Sequence, residues 1–168
     1  MLKTLNQHKM KVLPNNSYSF KITGNETETL ERLKRRTEIS EKLISKKTDK
    51  SFIGIVKENT FRIISSEIGK GAFCVLTGEI NNQKGEVGIE INKAFRILLS
   101  VFLCLPFVGL IMQLFLGKSE FLALFILVFI GQLLVIRYLF IEFVFQRLSR
   151  SSLNKLNDIL DIEYIEKD

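Results

Sequence analysis

Two hydrophobic patterns divide the chain: short alternating runs up to Asn92, and a nearly unbroken apolar mass from Ala94 to Phe145. Within the first part, Ser51–Asn92 reads as successive strands, SFIGIV, FRIIS, GAFCVLTGEI and GEVGIEIN. Val87, Ile89 and Ile91 alternate with Gly88, Glu90 and Asn92, which is the period-two pattern of a strand with one face on a core. Lys57–Thr60 and Asn81–Gly85 carry the Asn and Gly content of hairpin connections, so the segment is expected to form an antiparallel meander. Met10–Leu13 and Tyr18–Ile22 are shorter strand candidates, separated by the turn signal of Pro14, Asn15 and Asn16. Glu26–Lys42 lacks alternation and predicts a short helix over Thr27–Arg36. Acidic residues open this helix and Arg32, Lys34, Arg35 and Arg36 close it, the order favoured by the helix dipole, while Leu30 and Leu33 supply a narrow apolar contact.

The apolar mass contains two runs long enough to cross a bilayer, because about 20 residues at ~1.5 Å rise match a hydrocarbon core of roughly 30 Å. The first covers 94–116 and the second 121–143, with only Gly117–Glu120 between them. So short a connection makes the helices antiparallel neighbours with both outer ends on one side. Beyond them, Leu153, Leu156, Ile159, Leu160, Ile162 and Ile165 recur at helical intervals and predict an amphipathic helix over Leu148–Ile165. The expected fold class is therefore a mixed membrane protein. A β-rich soluble domain with one short helix (1–92) precedes a two-helix transmembrane hairpin (93–147) and an amphipathic tail (148–168).

Charge sets the expected orientation. Residues 1–93 hold 17 Lys and Arg against 11 Asp and Glu, whereas residues 149–168 hold 3 against 5. Lys93 and Arg96 precede the first run, and Arg137, Arg147, Arg150 and Lys155 end or follow the second. The intervening loop offers only Lys118, offset by Glu120. The positive-inside rule then places both termini in the cytosol, with the chain multi-pass in the cytoplasmic (inner) membrane. Residues 1–20 lack the continuous apolar core of a signal peptide, in keeping with a cytosolic N-terminus. A basic domain beside a bilayer points to anionic lipid head groups as partner, with nucleic acid the weaker reading. Lys34, Arg35 and Arg36 are the candidate lipid or phosphate contacts, set against the plainer reading of a solvated helix end. Arg96, Arg137 and Arg147 are candidate interfacial anchors.

Inside the hairpin, Pro106 removes one helical hydrogen bond and is expected to kink the first span. Gln113 and Gln132 are candidate interhelix contacts, and Gly109, Gly117 and Gly131 permit close packing without forming a GxxxG motif. Arg137 and Glu142 fall at the cytosolic end, where both side chains can reach water. These features favour assembly, including a homo-oligomer, over transport.

The chemistry of the soluble part is sparse. Gly69-Lys70-Gly71 lacks the GxxxxGK[ST] spacing of a phosphate loop and precedes a strand where such a loop precedes a helix. Ser65 and Ser66 have no histidine to activate them, Glu67 and Lys70 are neighbours without being an acid–base pair, and Cys74 lacks a neighbouring base. His8 is the single histidine, and Cys74 and Cys104 lie in different segments. No cysteine–histidine spacing for a metal is present, and no catalytic residue, metal or cofactor is expected.

The stretch FIGIVKENTFRIISSEIGKGAFCVLTGEI, followed by INKAF and an apolar hairpin, resembles small bacterial two-helix membrane proteins of unassigned function, a likeness that supplies no catalytic residues. In architecture alone the chain is similar to bacterial antiviral effectors that join a small β-barrel sensing cyclic nucleotides to membrane helices, in a different order and without a shared ligand motif. The expected function is a non-enzymatic, membrane-anchored sensor or interaction module with its basic domain near the inner leaflet. A ligand-activated effector that oligomerises or perturbs the bilayer is the alternative, and a lipid-acting enzyme is a third reading. Small-molecule ligand and protein partner are not legible.

Overall fold

A computed structural model describes residues 15–116 and 122–167. The strand expected at Met10–Leu13 and the connection Gly117–Glu120 lie outside them. Seven strands form one sheet: β1 (Asn15–Ile22), β2 (Thr37–Ile39), β3 (Phe52–Lys57), β4 (Thr60–Ser65), β5 (Cys74–Asn81), β6 (Lys84–Ile91) and β7 (Ile162–Lys167). Their order is β2-β3-β4-β5-β6-β1-β7, and every pair is antiparallel except β2 with β3. The fold is thus a mixed one, with helices and an antiparallel-rich sheet that takes six of its strands from residues 15–91 and its seventh from Ile162–Lys167.

The meander from β3 to β6 follows from its turns. Lys57 pairs with Thr60 across a two-residue loop in which Glu58 takes φ 37°. Asn81 pairs with Lys84 across Asn82 and Gln83, at φ 49° and 67°. Left-handed backbone at both central positions matches the right-handed twist of the flanking strands.

Alternation then selects the faces. Phe20, Ile22, Phe52, Phe61, Ile63, Leu76, Ile80, Val87, Ile89 and Ile91 point to one side and form the main core. Two glycines make room within it. Gly78 lies opposite Phe61, and Gly85 opposite Phe20. A Cβ on either would overlap the facing ring. Each aromatic ring therefore covers bare backbone in the neighbouring strand.

Two helices cover this face. Helix α1 (Glu26–Arg36) buries Thr29, Leu30 and Leu33 and leads directly into β2, where the Thr37 hydroxyl donates to the Leu33 carbonyl at 2.7 Å. That bond satisfies one of the carbonyls a helix end leaves open. Helix α4 (Phe145–Leu160) buries Phe145, Ser149, Ser152, Leu153, Leu156 and Leu160 along one stripe. Phe145, Leu153, Leu156 and Leu160 belong to the same core as the strands, so the sheet's core draws on both ends of the chain.

The expected helix over Leu148–Ile165 is corrected at its C-terminal end. It stops at Leu160 because Asp161 turns left-handed, φ 50° and ψ 59°, with its amide bonded to the Asn157 carbonyl. Ile162 and Ile165 continue as β7 on the free edge of β1. Their spacing suits a helix, but Ile-Glu-Tyr-Ile suits a strand as well, and an unpaired edge decides between them. Arg32 pairs with Asp161, and Lys21 with Glu163 at 2.7 Å, fastening the turn and the new edge.

Between β6 and α4 run α2 (Lys93–Leu116) and α3 (Leu122–Leu134), the latter continuing through a π-helical stretch, Val135–Val144, into α4. One helix, over Lys93–Met112, is long and apolar enough to cross a membrane, with mean hydropathy 2.3 and only 6% of its apolar stretch buried. The second expected span is not one regular α-helix. Its 13-residue α-helical part measures about 20 Å at ~1.5 Å per residue, and the widened π-helical turns follow.

Candidate functional site at the sheet-to-helix junction

Strand registers define which groups share an end of the sheet. Thr37 pairs with Phe52, Phe52 with Ser65, and Cys74 with Ile91. The ends of α1, β4 and β6 and the start of β3 and β5 therefore meet at one edge, and α2 leaves from it. The opposite edge holds the β3–β4 and β5–β6 turns and the start of α1, where the Asn82 amide donates to Glu26 at 2.9 Å.

Asn92 is the only residue between β6 and α2, and all of its polar groups are engaged. Its amide donates to the Phe73 carbonyl at 2.9 Å, and its carbonyl accepts from the Arg96 amide at 3.0 Å. The side-chain Oδ1 accepts from the Ala94 amide at 3.3 Å, an N-cap contact. Nδ2 donates to the Ala72 carbonyl at 2.9 Å and the Leu43 carbonyl at 3.2 Å. One side chain thus ties the base of α2 to the 3₁₀ turn Gly71–Phe73 and to the loop after β2. No linker separates sheet from helix, so a displacement of β6 moves the start of α2.

The apolar pair is held by contacts with an antiparallel register. The Phe107 and Phe129 rings meet edge to face at 4.6 Å. Gly109 faces Phe125, whose ring lies 3.2 Å from where a Cβ would stand. The Gln132 side-chain amide donates to the main-chain carbonyl of Phe102. Apolar side chains along α2 and α3, among them Ile97, Val101, Leu105, Leu127 and Ile130, face outward. Arg96 stands in the first turn of α2 and Arg147 in the first turn of α4, on the two chains that join the hairpin to the sheet. Gln113 and Arg137 are placed by backbone only, in α2 and in the π-helical stretch, their side chains lying outside the described residues.

Electrostatically the junction edge is basic. Lys34, Arg35 and Arg36 end α1 there, beside Thr37. The loop after β2 adds Lys42, Lys46, Lys47 and Lys50, the loop after β4 adds Lys70, and Lys93, Arg96, Arg147 and Arg150 flank the hairpin. Some of the acids present are engaged locally. Glu38 pairs with Lys46, whose hydrogen bond, with that of Thr48, holds its carboxyl below the ordinary value, and Glu67 pairs with Lys155. Among these cations two large apolar side chains face solvent: Ile44, 63% exposed, and Ile68, 70% exposed.

Sequence reasoning picked out the α1 cations, the flanking arginines and the missing linker at Asn92, but not the contacts of the Asn92 side chain, nor Ile44 and Ile68. For Ile44 the available signal was an isoleucine among Lys42, Lys46, Lys47 and Lys50.

Other features are quieter. Cys74 is buried in the core, which pushes its thiol up to about 12, so it is no nucleophile at neutral pH. Ser65 is buried and receives the Lys155 ammonium at 3.3 Å. Among the described residues no group of His, Cys, Asp and Glu could hold a metal ion. The sheet face opposite α1 and α4 buries Ile53, Ile64 and Val75 beneath Leu43 and Ala72, and toward β1 and β7 it carries a cleft of about 480 Å3 lined by polar groups that include Ser19, Lys21, Glu79, Lys84, Glu86 and Tyr164. No family model matches the chain, and no curated protein or solved structure matches it.

Proposed function

We propose that the chain is a membrane-anchored, non-enzymatic interaction or sensor module, held in the cytoplasmic membrane by the α2–α3 hairpin with both termini in the cytosol. In this reading the sheet domain rests its basic edge on the anionic inner leaflet. The observation that carries it is the coincidence of three things at one edge of the sheet: the exit of an apolar helix, a concentration of Lys and Arg, and the outward-facing Ile44 and Ile68. Each basic group near an anionic surface contributes about 1 kcal/mol, and isoleucines at the same level add apolar insertion. The π-helical stretch lengthens the second helix toward the roughly 30 Å a span requires, supporting a two-pass anchor.

The test uses full-length protein in bilayers of phosphatidylcholine, with and without phosphatidylglycerol. Backbone hydrogen exchange in residues 40–50 and 66–70 is expected to slow when the anionic lipid is present. The difference should shrink at high salt, where the screening length falls from about 10 Å at 0.1 M to about 3 Å at 1 M. Identical exchange in the two bilayers would defeat the reading.

The cleft on the sheet face opposite α1 and α4 favours a second reading, a ligand-activated effector. Glu86 lines that cleft and lies on β6, the strand that leads into Asn92 and α2. Ligand-dependent oligomerisation of the full chain would favour this version over a constitutive module.

A further inference from the structure

We infer that the junction holds one anionic phospholipid in a cleft between the base of α2 and the start of α4. The inference rests on the membrane reading above and names a lipid class and the residues that select it. The cleft has a volume of about 480 Å3, within the range of small-molecule sites. Its walls are Phe95, Leu98 and Leu99 from α2 and Phe143, Val144 and Leu148 from the other helix, and Phe73 closes it toward the sheet. The Phe73 and Phe95 rings meet edge to face at 5.2 Å, which fixes that boundary. Its cations are Lys70, from the loop after β4, and Arg147, from α4. Among the described residues neither is held in an ion pair.

Polarity along the cleft matches a phospholipid. Lys70 and Arg147 belong to the sheet side, where Lys93 and Arg96 begin α2. Leu98 and Leu99 lie about 8 to 9 Å beyond Lys93 and about 3 to 5 Å beyond Arg96 along that helix, at ~1.5 Å per residue. A phosphate at the cations would therefore place the first methylenes of an acyl chain against the leucines and Phe143. A purely apolar occupant leaves two cations unused, and a free anion leaves the hydrocarbon-lined part unfilled. Basic pockets between membrane helices on the cytosolic side are established sites for anionic head groups.

Native mass spectrometry of the full chain, released from nonionic detergent with added dioleoyl phosphatidylglycerol or dioleoyl phosphatidylcholine, tests this. One phosphatidylglycerol per chain should be retained in preference to phosphatidylcholine, and excess inorganic phosphate should not displace it. The double variant Lys70→Ser, Arg147→Ser is expected to weaken retention roughly 30-fold, from the loss of two charges. Leu99→Trp, which fills the apolar part and keeps both charges, should also abolish retention. Lys57→Ser, at the far turn, should leave it unchanged. Equal retention of both lipids, displacement by phosphate alone, or undiminished retention in Leu99→Trp would overturn the inference. Its failure is distinguishable from that of the anchoring reading: a chain washed from membranes by alkaline carbonate refutes anchoring, whereas a chain that stays but shows no lipid preference refutes only the cleft.

Discussion

Gln132 donates its side-chain amide to the carbonyl of Phe102, the one oxygen in α2 that Pro106 leaves without its helical partner. An α-helix bonds each amide to the carbonyl four residues earlier, and proline has no amide. The proline and the glutamine, which read in the sequence as separate features, are two halves of one arrangement. It ties α3 to α2 and gives the Phe102 carbonyl a partner in apolar surroundings.

Replacing Gln132 with Leu is expected to weaken the pairing of the two helices by about 0.6 to 1.7 kcal/mol, the range for interhelical hydrogen bonds in membranes. Pro106→Ala restores an amide to Phe102 and should cut the cost of Gln132→Leu to less than half. Unfolding of the four proteins in mixed micelles forms the cycle that checks this. The same cost in both backgrounds would refute the pairing of roles.

Asn92 is expected to separate capping from coupling. Asn92→Ala loses the cap and both carbonyl contacts and should cost about 1 to 3 kcal/mol. Asn92→Asp keeps the acceptor for Ala94 but loses the donor to Leu43 and Ala72, so the start of α2 should hold while exchange in residues 40–50 accelerates. Unchanged exchange in that loop would show that the side chain does not tie it down.

The shared core makes the two ends of the chain interdependent. Leu156→Ala, in α4, should destabilise the sheet by about 2 to 5 kcal/mol. Ile89→Asp, in β6, should cost several kcal/mol, against the ~5 to 15 kcal/mol by which a domain is stable. Circular dichroism should show one melting transition shifted by either change. A sheet that melts normally in Leu156→Ala would place α4 outside the core.

Cys74 links stability to pH. Burial raises its thiol to about 12 in the folded protein from an ordinary value near 9. Its contribution is therefore complete below the ordinary thiol range and is lost as pH climbs from there through about 12, where the unfolded chain ionises first. Native protein at pH 8 should resist alkylation at Cys74 and react once denatured. Rapid modification of the native thiol would contradict the burial.

The meander and α1 were legible because alternation, turn residues and charge order all acted locally, as in Val87–Ile91 and Asn81–Lys84. Two strands were not. At three residues β2 is too short for any period to show, and its parallel partner lies beyond an intervening loop. The isoleucines of β7 fit two periods, and the choice depended on the free edge of β1, a tertiary fact. The junction was half legible: the absence of a linker at Asn92 was visible, but the contacts of its side chain needed the Gly71–Phe73 turn and Leu43 brought beside it. Gln132 stood out as a polar group in an apolar run, whereas its partner depended on the register of α3 against Pro106.

The most direct test of membrane anchoring is cysteine accessibility in intact cells. It compares single cysteines introduced at Lys118, between the two apolar helices, and at Glu166, in β7, in a background lacking Cys74 and Cys104. A membrane-impermeant maleimide should label position 118 from outside and reach position 166 only after the cells are opened, with the protein remaining in the membrane fraction at alkaline pH. Labelling of both positions from outside, protection of both, or release of the protein by alkali would contradict a hairpin anchor with cytosolic ends.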